Sequence, residues 1–519
     1  MNKDLLCAPE KKIRVCLSLL AFMLLAFANA SFAQKRAAKA VKKQPNIIYI
    51  YADDLGYAET GPYGQTKIKT PHLDRMAREG MKFTQHYSGA PVCAPARCML
   101  MTGKNGGHAY IRGNYGMGGS RDEEEGGQMP LPEGTFTIPK MLKNAGYATG
   151  MIGKWGLGMN NSTGSPLKQG FDFYYGYLDQ KQAQNYYPTH LWENDQQVPL
   201  NNSFFDINEK LDPARATDAD FERFKGKEYA PDKMTSKGLA FIEQHRSGPF
   251  FLYMAYTLPH VSLQVPERYI QPYLGQFDEQ PYYGQQGYAP CKYPLSTYAG
   301  MISYLDEQVG LVMDKIKQLG LDENTIILFS SDNGTTFNGG VQATFFKSVA
   351  NLRGLKMDVF EGGIREPFIV RWPGKVPANT SSDLISAQFD MMPTFAELSG
   401  ARAVHPDGIS LLPTFLGKPA GQQNRPYLYF EYPEKGGQVA IRMGKWKAVK
   451  LNMQKQKKAE WQLFDLSRDI SEQLNLAPAY PGLIRELEEI VKKEHQSAHI
   501  NEWEFVDSKM KTNSASPKK

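Results

Sequence analysis

Short apolar runs alternate along this chain with stretches of helical spacing, and several of the runs end on charged or polar residues. Residues 46–51 form a continuous apolar run rich in β-branched side chains, followed by Asp53 and Asp54. That pattern predicts a buried strand that delivers two carboxylates at its C-terminal end. Residues 137–144 predict a helix, and 147–152 a strand leading into Gly153-Lys154-Trp155. A strand over 250–256 ends near His260, a helix covers 298–319, and a strand over 325–330 ends in Asp332-Asn333-Gly334. Residues 368–371 and 389–398 add a further strand and helix. This alternation predicts an α/β fold, a large mainly parallel sheet sandwiched by helices. Sites in such sheets lie beyond the carboxyl ends of the strands, which is where these polar residues fall.

The texture changes near Pro426. Four short strands over 427–432, 438–443, 446–451 and 461–465, then a helix over 480–494, predict a smaller antiparallel sheet with one packed helix. The expected division is a catalytic α/β part over 45–422, a C-terminal α+β part over 423–505 and a disordered tail over 506–519. Residues 178–232 are polar, rich in Tyr and Asn and weakly periodic, and read as long loops near the site. There are no internal repeats.

Composition narrows the classes. A chain of 519 residues with 41% hydrophobic content has ample material for a core, which excludes wholesale disorder. The formal charge of +6 gathers at the ends, in Lys35, Arg36, Lys39, Lys42 and Lys43 and in Lys509, Lys511, Lys518 and Lys519. Charge between them is nearly balanced, so the fold carries no nucleic-acid footprint. Lys11, Lys12 and Arg14 precede an apolar run over 15–28, with small residues up to Ala33. This is the form of a signal peptide over 1–33, followed by a basic linker over 34–44. The run is short for a membrane span. The expectation is export to the periplasm or exterior of a bacterium, with no transmembrane segment in the mature chain. Removing the leader leaves Cys93, Cys98 and Cys291, too few for a disulfide framework. Cys98 and Cys291 are left open between a pair and two free buried thiols.

The densest chemistry is Cys93-Ala94-Pro95-Ala96-Arg97. Pro95 suits the first turn of a helix, which puts Cys93 at a helix start, where backbone N–H groups favour an anion. Arg97, one turn on, faces the same side. Asp53, Asp54, Asp332 and Asn333 offer hard oxygen ligands that suit calcium better than zinc or copper. So many carboxylates together would repel one another without a cation.

The Cys-x-Pro-x-Arg pattern resembles the formylglycine signature of type I sulfatases, of the alkaline phosphatase superfamily. Asp53-Asp54-Leu55-Gly56, Thr102-Gly103, Gly153-Lys154-Trp155, Pro259-His260, Ser331-Asp332-Asn333-Gly334 and Lys356 before Glu361-Gly362-Gly363-Ile364-Arg365 resemble that family's successive blocks, in its order. The resemblance runs from residue 46 to about 477. It implies a sulfuric ester hydrolase whose Cys93 is oxidised to formylglycine by a formylglycine-generating or anaerobic sulfatase-maturating enzyme. It implies Ca2+ held by Asp53, Asp54, Asp332, Asn333 and residue 93. A hydroxyl of hydrated formylglycine would attack sulfur; Lys154 and Lys356 would hold the sulfate oxygens; His260 and Lys356 would serve the leaving oxygen; Arg97 would orient residue 93.

One block departs from the pattern. The family's Gly-Lys-Trp-His-Leu-Gly reads Gly153-Lys154-Trp155-Gly156-Leu157-Gly158 here. The missing imidazole normally contacts a formylglycine hydroxyl, and His108, in a loop after the nucleophile helix, is the candidate to return one; loop packing is its alternative. For the alcohol, the resemblance points to a sulfated carbohydrate such as galactose or N-acetylgalactosamine sulfate. Arg112, Gln184 and Arg353 are candidate contacts to sugar hydroxyls. Tyr174-Tyr175-Gly176-Tyr177 and Asn185-Tyr186-Tyr187 form either a sugar platform or ordinary packing. Competing readings are a phosphonate or phosphate monoester hydrolase on the same scaffold and a non-catalytic glycan-binding relative. A two-metal phosphotransferase is disfavoured by the lack of a second His/Asp cluster.

Overall fold

All eight residues of β1 (Asn46–Asp53) are buried, as its unbroken apolar run requires of a strand covered on both faces. The computed structural model describes residues 44–119, 121–456 and 459–506. The expected signal peptide, nearly all of the linker and the tail beyond residue 506 lie outside the described residues. Following β1 come β2 (Met81–Tyr87), β3 (Ala148–Lys154), β4 (Phe173–Tyr177), β5 (His190–Glu193), β6 (Gln196–Pro199), β7 (Phe250–Pro259), β8 (Thr325–Ser331), β9 (Arg365–Arg371), β10 (Thr380–Ser382) and β11 (Ser386–Ala387). They form one sheet in the order β10-β2-β9-β8-β1-β7-β3-β4-β5-β6, with β11 beside β2. The central strands β8, β1, β7, β3 and β4 are parallel; β9, β5 and β6 run antiparallel to their neighbours.

Side-chain alternation sends each central strand into two cores. Ile48, Ile50, Leu252 and Met254 face one side, and Ile47, Tyr49, Phe251 and Tyr253 the other. Helices α1 (Pro71–Arg78), α4 (Ala230–Gln244) and α5 (Pro294–Gln318) cover the first face; α2 (Cys93–Thr102), α3 (Ile138–Asn144) and α6 (Met391–Ser399) cover the second. The expected sandwich is therefore the one found, and the structural neighbours described below share it.

Strands β12 (Leu428–Tyr432), β13 (Gln438–Met443), β14 (Trp446–Lys450) and β15 (Trp461–Asp465) form a separate antiparallel sheet in sequential order. One of its faces packs against helix α7 (Pro481–Glu494) through Leu487, Ile490 and Val491. Its other face packs Phe430, Ala440 and Val449 on Tyr87, Val92 and Phe389. The small sheet is thus wedged between its own helix and, on the large sheet's side, the end of β2 and the approaches to α2 and α6.

Just past α7, His495 touches Glu431 at 2.8 Å and stands 3.3 Å from Glu504. Burial opposes its charge, but the two carboxylates prevail and raise its pKa to about 9. An unfolded histidine titrates near 6.5. Because the folded value is the higher one, this stabilisation is complete below about pH 6.5 and is lost as pH rises through the folded value. His495→Gln is expected to lose roughly 1–2 kcal/mol at pH 6 and much less at pH 10. Urea denaturation of both proteins at the two pH values checks this; an equal loss at both would refute it.

One sequence expectation is corrected, and one alternative left open is decided. The stretch 178–232 is not all loop, since it holds β5, β6, a short helix over Asp218–Glu222 and the start of α4. The strand-forming residues there come only four at a time, too few for periodicity to register. Cys98 and Cys291 are both free and buried, with no bond between them.

Candidate active site

The parallel register places the carboxyl ends of four adjacent strands side by side. Ala52 pairs with Ser331, Asp53 with Pro259, and Gly153 with Ala255. The next residues out, Asp54, Asp332, Asn333, His260 and Lys154 at the end of β3, therefore meet over one edge. Asp54 adopts a left-handed backbone (φ 62°), which turns the chain sharply after the strand. Its N–H donates to Asp332 Oδ1 at 3.1 Å.

Helix α2 aims its first residue into this cluster. Every residue of the helix is buried, and it ends at Gly103, whose positive φ lets its N–H reach the Met99 carbonyl at 2.9 Å. A side chain at Gly103 would also press on Met392, 2.9 Å away, so the helix seats tightly on α6. Cys93 Sγ lies 3.2 Å from Asp53 Oδ1 and 4.0 Å from Asp54 Oδ1. Arg97, one turn later, donates to the Lys154 carbonyl at 2.7 Å and to Asp332 Oδ2 at 2.9 Å, and lies 3.4 Å from Asp53. It stacks over Tyr51, 5.5 Å from the ring centre.

Two lysines complete the arrangement. Lys154 Nζ is 2.6 Å from Asp53 Oδ2, and Lys356 Nζ is 2.8 Å from Asp54 Oδ2. Burial alone would raise the Asp53 carboxyl, but Lys154, His260, Arg97 and Lys356 outweigh it and hold it well below the usual range. Burial and the Asp53 and Asp54 charges push Asp332 up instead. Burial also raises the Cys93 thiol, with Asp53 adding to the effect. Burial disfavours a charged lysine, yet Asp54 keeps Lys356 protonated and Asp53 does the same for Lys154. Burial, then the Lys356 charge, lowers His260 to about 4. His260 Nδ1 donates to the Val261 carbonyl, so the neutral ring keeps its lone pair on Nε2, 3.6 Å from Asp54.

These side chains could hold a metal ion. One ligand atom each from Asp53, Asp54, Cys93 and His260 lies within 4.8 Å of the others. Asn333 donates its amide to Asp54 Oδ1 at 2.7 Å, while its buried Oδ1 has no hydrogen-bond partner. Asp332 is drawn into the same knot with one oxygen on Arg97 and one on the Asp54 N–H. Three carboxylates and three cationic side chains balance formally, so a divalent cation would leave the cluster positive and receptive to an anion.

Over this cluster opens a cavity of about 280 Å³. Cys93, Lys154, His260 and Lys356 line it, together with Gln184. Three other sequence candidates are elsewhere. His108 bonds Asp407 at 2.8 Å and does not line the cavity, so it does not return an imidazole to residue 93. Arg112 is buried against Glu431 at 3.0 Å and the carbonyls of Ala109 and Gly107. Arg353 bonds the Glu472 carbonyl at 2.7 Å and lies on the Phe360 ring. Neither arginine lines the cavity: Arg112 is spent on Glu431 of the C-terminal sheet, and Arg353 on the loop that follows that sheet. The tyrosine platform is also absent: Tyr174, Tyr175 and Tyr177 are the buried face residues of β4, and Tyr186 braces the carbonyls of Thr257 and His260 at 2.6 Å. Sequence reasoning missed Asn114, Gln180, Lys181, Tyr288 and Glu434, all of which line the cavity. They come from turns with no motif spacing, and only the fold brings them together.

A family model described as Sulfatase matches residues 45–401, more than half of the chain. The chain belongs to the sulfatase family. It is a sulfuric ester hydrolase by that membership, and a second model, N-sulphoglucosamine sulphohydrolase, C-terminal, matches residues 356–497. This sulfatase is 30% identical over 509 residues to an N-acetylgalactosamine-6-O-sulfatase of Bacteroides thetaiotaomicron, spanning 87% of this chain and 93% of that one. It is 32% identical over 433 residues to arylsulfatase A of Bos taurus, spanning 79% and 76%. The crystal structure of Ps i-CgsB superposes with a TM-score of 0.70 at 30% identity, covering 88% of this sulfatase and 94% of that chain. A phosphonate monoester hydrolase of Agrobacterium radiobacter, 18% identical over 87% of this chain and 95% of its own, shares the fold with a TM-score of 0.57.

Proposed function

We propose that this sulfatase removes O-sulfate from a carbohydrate, using Ca2+ and a formylglycine made from Cys93 by a maturating enzyme. The observation that carries the reading is the position of Cys93. It sits at a buried helix start, within 4.0 Å of two carboxylates that are themselves capped by Lys154 and Lys356. Asp53, Asp54, Asp332, Asn333 and residue 93 are the proposed calcium ligands, with His260 Nε2 at their margin. When present, the hydrated aldehyde would supply an oxygen nucleophile toward sulfur, and the calcium ion would stabilise its ionised form.

The remaining work falls to side chains of this chain. Lys154 and Lys356 hold their protons and stand where two oxygens of a sulfate group would accept them. Lys356 Nζ is also the proton carrier beside the leaving oxygen, while neutral His260 presents Nε2 to the same Asp54 oxygen. Arg97 is an orienting residue: it ties the nucleophile helix to the β3 carbonyl and to Asp332, fixing residue 93 against the ligands.

Relatives named N-acetylgalactosamine-6-O-sulfatase and N-acetylgalactosamine-6-sulfatase support a sulfated galactose or N-acetylgalactosamine residue as substrate. Export of the mature chain is part of the proposal, and it rests on the N-terminal sequence. Among the described residues no helix is long and apolar enough to cross a membrane.

The test is sulfate release from defined sulfated mono- and disaccharides, run beside aryl phosphate and phosphonate esters. Faster turnover of a 6-sulfated galactose or N-acetylgalactosamine unit than of any phosphorus ester is expected. Preferential phosphorus-ester hydrolysis, or glycan binding without sulfate release by fully converted protein, would overturn the reading.

A further inference from the structure

Gly156 stands where the resembling pattern has a histidine, and the structure contains a side chain that fills the space. The β3–β4 pairing continues beyond the strand ends: Trp155 N–H donates to the Tyr177 carbonyl at 2.9 Å and Gly156 N–H to the Leu178 carbonyl at 3.3 Å. This brings the turn after β4 directly over Gly156. Asp179 pins the turn by accepting from the N–H groups of Gly126, Gly127 and Lys181 at 3.1, 2.6 and 2.7 Å. The next residue, Gln180, is then laid across Gly156. A Cβ at Gly156 would meet Gln180 Cγ and Nε2, both at 2.8 Å, closer than ordinary contact allows. Gly156 also has a φ of +73°, which any other L-residue would adopt only under strain. Gln180 is 7% exposed and lines the cavity with Cys93, Lys154 and Lys356; its Nε2 makes a long 3.5 Å contact with the Gly156 carbonyl, and an amide NH2 carries a second N–H for a ligand.

We propose that Gln180 is a working member of the reaction cavity, its carboxamide hydrogen-bonding the sulfate group held between Lys154 and Lys356, and that Gly156 lacks a side chain to make room for it. The proposal rests on the sulfatase reading for the anion. A neutral amide donates to a sulfate oxygen without adding charge to a cluster already rich in cations. It is a binding group, not a proton acceptor, so the exchange at position 156 replaces a titratable ring with one that does not titrate.

The charge of a near-isosteric substitute separates this role from simple filling. In the calcium-loaded protein, Gln180→Glu is expected to weaken inorganic sulfate binding, measured by calorimetry, by more than roughly tenfold, because a carboxylate would face the anion. Gln180→Ala is expected to weaken it by roughly threefold to tenfold. Equal sulfate affinity in Gln180→Glu and wild type would overturn the proposal. The contact with Gly156 is read by a double-mutant cycle on kcat/KM with whichever sulfate ester the wild type turns over, p-nitrophenyl sulfate included. Gly156→Ala is expected to lose activity, and Gln180→Ala in that background to recover part of it, whereas simple additivity of the two losses would overturn the steric half. Sulfate binding does not depend on the sugar. If no sulfated carbohydrate is turned over but the affinities fall in the expected order, the substrate reading fails and the assignment of Gln180 stands.

Discussion

Cys93→Ala is expected to abolish sulfate release, with a loss of at least about 10⁴-fold in kcat, while the protein melts within a few degrees of wild type. The expectation of an intact fold follows from geometry. Cys93 is 2% exposed, and removing one sulfur from the first turn of a helix that is buried throughout leaves a space lined by polar groups rather than an apolar void. The substitution also removes a thiol that the neighbouring Asp53 charge disfavours as thiolate. The expectation of lost activity follows from position: among the described residues, Cys93 is the side chain that a helix start presents to both Asp53 and Asp54. Mass analysis of the peptide spanning residue 93 in active protein gives the second readout. Turnover by protein carrying an intact thiol there would contradict the proposed chemistry.

Removing divalent cations is the second large effect. A chelator is expected to lower sulfate release by at least about 100-fold and to lower the melting temperature, with both restored by Ca2+. The physical reason is the imbalance of donors. Asp53 and Asp54 direct oxygens at residue 93, and Asn333 Oδ1 is buried without a partner, a group that costs about 1–3 kcal/mol when left unsatisfied. Oxygen donors of this type favour calcium over softer metals. Asp54→Asn should then need far more calcium for half-maximal activity, because it removes a ligand and leaves Lys356 without its carboxylate. Undiminished turnover after exhaustive chelation, with no metal found by elemental analysis, would refute a metal-dependent site.

How much of this was readable in advance depended on whether a residue lies on a strand end or on a turn. Asp53, Lys154, His260 and Asp332 each follow an apolar run, and period and composition locate such runs well. Parallel pairing then puts their ends in register, so the cluster follows from the strands themselves. His108, Arg112 and Arg353 stand out in the sequence only by residue type within loops. A loop's path is set by what it packs on, and these three are taken up by Asp407, Glu431 and the Glu472 carbonyl, partners hundreds of residues distant or in another layer. The tyrosines around 174–187 were ambiguous because an aromatic run serves a buried strand as well as a sugar surface. The sequence shows Gly156 as a gap but not what fills it: Gln180 has no motif, and only the extended β3–β4 pairing carries it there.

Glu434 sits in the turn between β12 and β13, lines the cavity and accepts the Asn114 N–H at 2.5 Å. Cys93, Lys154 and His260 reach the cavity from helix and strand ends of the large sheet's layer, whereas Glu434 comes from a hairpin tip of the small sheet. That tip is tied to the nucleophile helix, because Asn114, held by Glu434, accepts the Ala94 N–H at 3.2 Å, so a change in the tip would be felt beside Cys93. The small sheet thereby braces the first turn of the nucleophile helix, and the two sheets cannot vary independently at this point.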